Sequence, residues 1–216
     1  MTIQELSVIV YAGTLPFHLI IREVEKLNDI PNPLDITHCG IVVNISGAEL
    51  HKLIDTGKFV NLKKKHYDDL KKDIRYKDDA VRAFVIEAVL PIIRIVPLDQ
   101  QYINEYHGEM YFRLPKNAKH IRGKDWYDVI GKDYEHHKLD MIAIAKKDAS
   151  PKEIADLAKT ASLFCSELVS IILNRCGITH LVAANVIPEE LSSGAGKYDL
   201  LAASHYSERK LAKDKK

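Results

Sequence analysis

Ser162-Leu163-Phe164-Cys165-Ser166-Glu167-Leu168-Val169 is the stretch whose reading decides the fold. Its apolar positions continue at helical spacing to Ile172, and Gly177 supplies a stop, so a buried helix is predicted with Cys165 in its first turn. Ser162 is the expected N-cap, which places Cys165 at the third helical position. Helical patterning extends back to Ile154, with a break near 160–162. Upstream, His38 lies in Thr37-His38-Cys39-Gly40-Ile41-Val42-Val43 and Glu87 in Phe84-Val85-Ile86-Glu87-Ala88. Both runs are rich in β-branched residues and read as strands. Groups able to act as base, orienter and nucleophile therefore follow in the order His, Glu, Cys.

With its H-x-G strand, V-I-E-A strand and C-S-E-L-V helix, the chain resembles the permuted papain-like amidases of the NlpC superfamily, in particular the YaeF/YiiX-like group that includes poxvirus members. The resemblance runs from about residue 7 to about residue 190, and the segment between the two strands aligns poorly. It implies an α+β fold of the circularly permuted papain-like (NlpC) type, in which an antiparallel sheet packs against a cysteine-bearing helix that comes last. It also implies Cys165 as nucleophile, His38 as base and Glu87 as the third polar residue. The run Gly123-Lys124-Asp125-Trp126-Tyr127-Asp128 is similar to the family's G-x-x-Y-D element with one extra residue, which makes Tyr127 a candidate cleft residue. Thr37-His38-Cys39 departs from the more usual Ser-His-Val.

The chemistry of these side chains leads to the same assignment. An unperturbed thiol is only a few per cent ionised at neutral pH, but a helix N-terminus and an adjacent imidazolium both favour the thiolate. For His38 to act so, the strand face carrying it is expected to lie under the first turn of the cysteine helix. Strand alternation puts His38, Gly40, Val42 and Asn44 on that face and Cys39, Ile41, Val43 and Ile45 on the other, making Cys39 a core residue. Gly40, lacking a side chain, permits close backbone approach. Glu87 shares a face with Val85 and is placed to accept from the second ring nitrogen of His38, fixing its tautomer. Acyl transfer through a thioester follows, with the Cys165 main-chain N–H as one oxyanion donor.

Around these elements, Leu6 to Tyr11, Val81 to Ala88, Ile92 to Pro97 and Glu109 to Leu114 also read as strands, and Phe17 to Leu27 as a helix. Strands grouped ahead of late helices fit α+β better than alternating β-α-β units. Residues 1–206 are read as one catalytic domain, with a charged insertion at about 48–79 that forms a helix or two on the surface. Residues 207–216 are read as a basic disordered tail.

Composition narrows the function classes. With 31 Lys+Arg against 30 Asp+Glu, the formal charge of +1 provides no global field for nucleic acid, and no specific nucleic-acid binding is expected. The lysine runs at 63–65 and 71–72 and the basic tail allow only weak contact with an anionic membrane. Three cysteines do not make a disulfide framework. No signal peptide or long apolar segment is read, so a soluble cytoplasmic protein is expected. His136 and His137 lack metal-ligand spacing, no Gly-rich phosphate loop is present, and neither a metal nor a cofactor is expected. The reading is a thiol hydrolase acting on a peptide or isopeptide bond. Its alternatives are a lipid acyl hydrolase or acyltransferase with the same triad, and a binding or structural protein on this fold.

Overall fold

Alternating apolar residues along Ile36–Ser46 bury both faces of one long strand, and the rest of the molecule is arranged around it. The structure, a computed structural model, describes residues 3–13, 36–106, 108–116, 120–134, 162–181, 186–192, 199–201 and 206–210. Strands β1 (Val8–Ala12), β2 (Ile36–Ser46), β3 (Val81–Ala88), β4 (Ile93–Pro97) and β5 (Glu109–Pro115) join one sheet. The two-residue strands β6 (Asp133–Tyr134) and β7 (Ser162–Leu163) pair in parallel, and β8 (Tyr206–Lys210) returns to the main sheet. That sheet has six strands in the order β4-β3-β2-β1-β5-β8, every neighbouring pair antiparallel.

The expected alternation of β2 holds. Cys39, Ile41, Val43 and Ile45 enter the larger core cluster, and Val42 enters a second cluster on the opposite face with Ile9, Tyr11, Val85 and Phe112. Helix α1 (Gly47–Asp55) begins where the Ser46 hydroxyl accepts from the Glu49 N–H at 3.1 Å. With α2 (Tyr67–Asp73) it forms the charged segment foreseen at 48–79. Leu50, Leu53, Ile54, Leu62, Leu70 and Ile74 pin that segment to the larger core. Helix α3 (Gln100–Glu105), capped by Asp99, contributes Tyr102 and Ile103 to the second cluster. The molecule is an α+β protein whose sheet is covered on both faces.

The cysteine helix, α4, spans Cys165–Arg175 and buries Leu168, Val169, Ile172 and Leu173 in the larger core. Its start differs from expectation. Residues 162 and 163 are taken up by pairing with β6, so Phe164 is the N-cap and Cys165 the first helical residue rather than the third. The Glu167 carboxylate, buried, accepts from the Phe164 N–H at 3.4 Å, supplying the cap that Ser162 does not. At the far end Gly177 takes φ +64°, which lets Gly177 and Ile178 donate to the carbonyls of Asn174 and Leu173.

Residues 207–210, read as the start of the tail, are likewise not tail, since with Tyr206 they pair with β5 from Tyr206↔Pro115 to Lys210↔Tyr111. The five-residue return satisfies an edge that would otherwise be open. Residues 211–216, the helix expected at 17–27, the helical pattern from 154 to 161 and the pair His136-His137 lie outside the described residues.

Candidate active site

Antiparallel register brings the polar residues together. His38 pairs with Tyr11 across β2 and β1, Gly40 with Glu87 across β2 and β3, and Glu87 with Arg94 across β3 and β4. His38 and Glu87 share a sheet face, and the His38 Nε2 meets Glu87 Oε2 at 3.3 Å. Glu87 is 3% exposed, a burial an unpaired carboxylate would not sustain. It is met from three sides. Arg94 donates to Oε1 from Nε at 2.9 Å and from a terminal guanidinium nitrogen at 2.8 Å, and the Tyr102 hydroxyl donates to Oε2 at 2.8 Å. Because the proton of Tyr102 is committed to Glu87, the Tyr11 hydroxyl donates to Tyr102, also at 2.8 Å. The Tyr11 ring packs against His38 with centroids 4.9 Å apart.

These contacts set the charges. Burial opposes ionisation of Glu87, but the His38 hydrogen bond and the Arg94 charge outweigh it and bring its pKa down to about 2. Burial likewise disfavours imidazolium, yet Cys165 and Glu87 together raise His38 to about 10. Cys165 moves the other way. A hydrogen bond from the Cys39 thiol and, against burial, the His38 charge and hydrogen bond hold it well below an ordinary thiol. Its place at the first position of α4 adds free N–H groups and the positive helix end. The stable form of the pair is thiolate and imidazolium. Tyr11 and Tyr102 are raised, first by burial and then by the Glu87 charge, and stay protonated as donors.

The route by which Cys165 meets His38 differs from expectation. The body of α4 packs on the Cys39, Ile41 and Val43 face, not on the His38 face, and Cys165 touches Cys39 as well as His38. Cys39 is the fully buried core residue foreseen, and its thiol is raised well above its ordinary range by burial and by its bond to Cys165. Gly40 does permit a close approach, but of the neighbouring strand. A Cβ there would lie 2.6 Å from Val85 Cγ2 and 3.0 Å from the Ile86 carbonyl oxygen.

A cavity of about 370 Å³ opens on the His38 and Glu87 side, lined also by Tyr102, Tyr106, Tyr134 and the apolar run 88–90. Cys165 is 2% exposed, and the neighbouring Phe164 ring packs edge-on against Tyr134 at 6.3 Å. Tyr127 is not among the residues lining this cavity. It packs against Trp126 and Phe59, with ring centroids at 4.7 and 5.8 Å, and over Gly123. Tyr11, Tyr102 and Arg94 were not anticipated. Arg94 had a readable signal, since residues 87 and 94 fall opposite each other in a hairpin turning at 90–91. No group of residues able to hold a metal occurs among the described residues. No helix there is long and apolar enough to cross a membrane. No family model matches the chain, and no curated protein matches it.

Proposed function

We propose that the chain is a cysteine hydrolase of the permuted papain-like type, cleaving a peptide or isopeptide amide bond. The observation that carries this reading is the proximity of the Cys165 thiol to His38, which is itself hydrogen-bonded to buried Glu87; His38 and Glu87, though not Cys165, line a cavity. In the proposed reaction the Cys165 thiolate attacks the scissile carbonyl carbon, and the Cys165 main-chain N–H is one donor to the developing oxyanion. His38 gives its proton to the leaving amine nitrogen as the C–N bond breaks, leaving a thioester. A water molecule then attacks the thioester while His38 takes its proton, the C–S bond breaks and the carboxylic acid leaves. Glu87 keeps the ring oriented and stabilises its charge throughout, and Arg94 and Tyr102 hold Glu87.

Ala88, Val89 and Leu90 in the cavity wall support an apolar group beside the scissile carbonyl. The same feature supports the alternative of a fatty acyl ester, which a parallel assay on lipid esters separates from amide cleavage.

The decisive experiment is iodoacetamide labelling of each cysteine against pH, read by mass spectrometry, in wild type and His38→Ala. Rapid labelling of Cys165 near pH 6 that His38→Ala abolishes, with both proteins folded, supports the hydrolase. Ordinary thiol behaviour in both proteins overturns it and leaves a binding protein, a reading that the burial of Cys165 favours.

A further inference from the structure

Away from this site, α1 and α2 and the loop after α2 enclose a concavity of about 730 Å³ whose wall is almost wholly cationic. Lys52, Lys71, Lys72, Arg75, Lys77 and His51 line it, against the single carboxylate of Asp55. In a chain of formal charge +1 this is a local concentration rather than a share of a general excess. Part of the charge is already answered. Lys71 meets Asp55 at 2.5 Å, Arg75 grips both Asp99 oxygens at 3.0 and 3.1 Å, and Lys72 approaches Asp69 only to 3.9 Å. Lys52 and Lys77 have no ion-pair partner among the described residues. The His51 Nε2 is buried and has no hydrogen-bond partner.

We infer that this concavity binds a compact ligand carrying several phosphate groups. Lysine ammonium groups are mobile point donors suited to phosphate oxygens, and the carboxylates of Asp55, Asp69 and Asp99 leave Lys52 and Lys77 unanswered. The site lies between two short helices and its lining contains no Phe, Tyr or Trp, so it offers neither the extended track nor the broad stacking surface that a single-stranded nucleic acid uses. The same chemistry is presented by a soluble inositol polyphosphate and by a phosphoinositide headgroup.

The test uses the whole chain at 0.15 M salt, with calorimetric titration of inositol hexakisphosphate and flotation on phosphatidylcholine vesicles with or without phosphatidylinositol bisphosphate. Lys52→Ala with Lys77→Ala should weaken binding about thirtyfold, close to fivefold for each exposed cation lost. Lys52→Arg with Lys77→Arg should retain most of it. Lys64→Ala with Lys65→Ala, in an exposed lysine run outside the groove, should leave it unchanged. Flotation in addition to titration identifies the headgroup as the source, and titration alone identifies a free phosphate compound. Both support the site. Absence of binding, equal weakening by the two alanine pairs, or tighter capture of an RNA oligonucleotide through the same lysines overturns it.

Discussion

Replacing Glu87 by Gln keeps the shape of the side chain and the acceptor oxygen facing Arg94 or Tyr102, but removes the charge on which the buried network depends. The magnitude follows from the pKa of about 2, against an ordinary 4.5. At 1.36 kcal/mol per pH decade, that separation corresponds to about 3 kcal/mol of folding stability. No discount for solvent applies to a carboxylate 3% exposed. The rise of His38 to about 10 records some of the same interaction and is not added. Because the folded carboxyl binds its proton more weakly than the unfolded one, its stabilisation is complete above pH 4.5 and is lost as pH falls through about 2. His38 is protonated in both folded and unfolded protein across that window, so it does not contribute. The assay is urea unfolding followed by the fluorescence of Trp126, the single tryptophan and a buried one. Wild type should exceed Glu87→Gln by about 3 kcal/mol at pH 5, and the two curves should converge as pH approaches 2. A gap that stays constant across this range would refute the account of Glu87 as an ionised, network-held carboxylate.

The Cys165 and His38 ionisations have opposing signs. His38 stabilisation is full below pH 6.5 and lost as pH rises through about 10, and Cys165 stabilisation is present above 9.0 and lost as pH falls through its depressed pKa. The stability difference between wild type and a His38→Gln/Cys165→Ala double variant should therefore be flat between pH 6.5 and 9.0 and fall from there toward pH 10, and a slope inside the 6.5–9.0 window in urea titrations would show that the folded pair does not hold a single proton there. Tyr102→Phe removes one donor to Glu87 and the acceptor for Tyr11, and should cost about 1–3 kcal/mol in thermal or urea unfolding; no loss would mean that the hydroxyl chain is idle. Gly40→Ala drives a methyl into Val85 and should destabilise by about 1–3 kcal/mol, with partial recovery on adding Val85→Ala; a neutral Gly40→Ala would contradict the close packing of β2 on β3.

How far the sequence could be read depended on the range of the forces involved. Strand alternation places Cys39 and His38 on opposite faces of β2 from local residues alone, and the structure has them there. The hydrophobic stripe of α4 and its stop at Gly177 were equally local. The start of α4 was not, because Ser162 is withdrawn from capping by pairing with β6, at residues about thirty positions earlier in the chain. The polar surroundings of Glu87 were also out of reach. Tyr11 and Tyr102 arrive from different elements, and only the assembled sheet and α3 bring their hydroxyls into line. Ser207–Lys210 looked like a charged tail because an edge strand need not be apolar when its contribution is backbone pairing.

The register of β2 has a consequence for how this gene product can change over time. His38 faces Glu87 only because the pairings Val10↔Cys39 and Gly40↔Glu87 are kept. Substitutions at single positions alter one side chain, but gain or loss of one residue between 39 and 46 forces a choice between shifting the strand and bulging it. A one-residue slip carries every side chain of the strand to the opposite face, so imidazole and thiol exchange places and the apolar set of Ile41, Val43 and Ile45 leaves the core at the same stroke. Insertions and deletions in this strand should thus be rarer than anywhere else in the described sheet. Length variation should collect in connections such as the exposed turn at 56–58 after α1, which carries no register into the site.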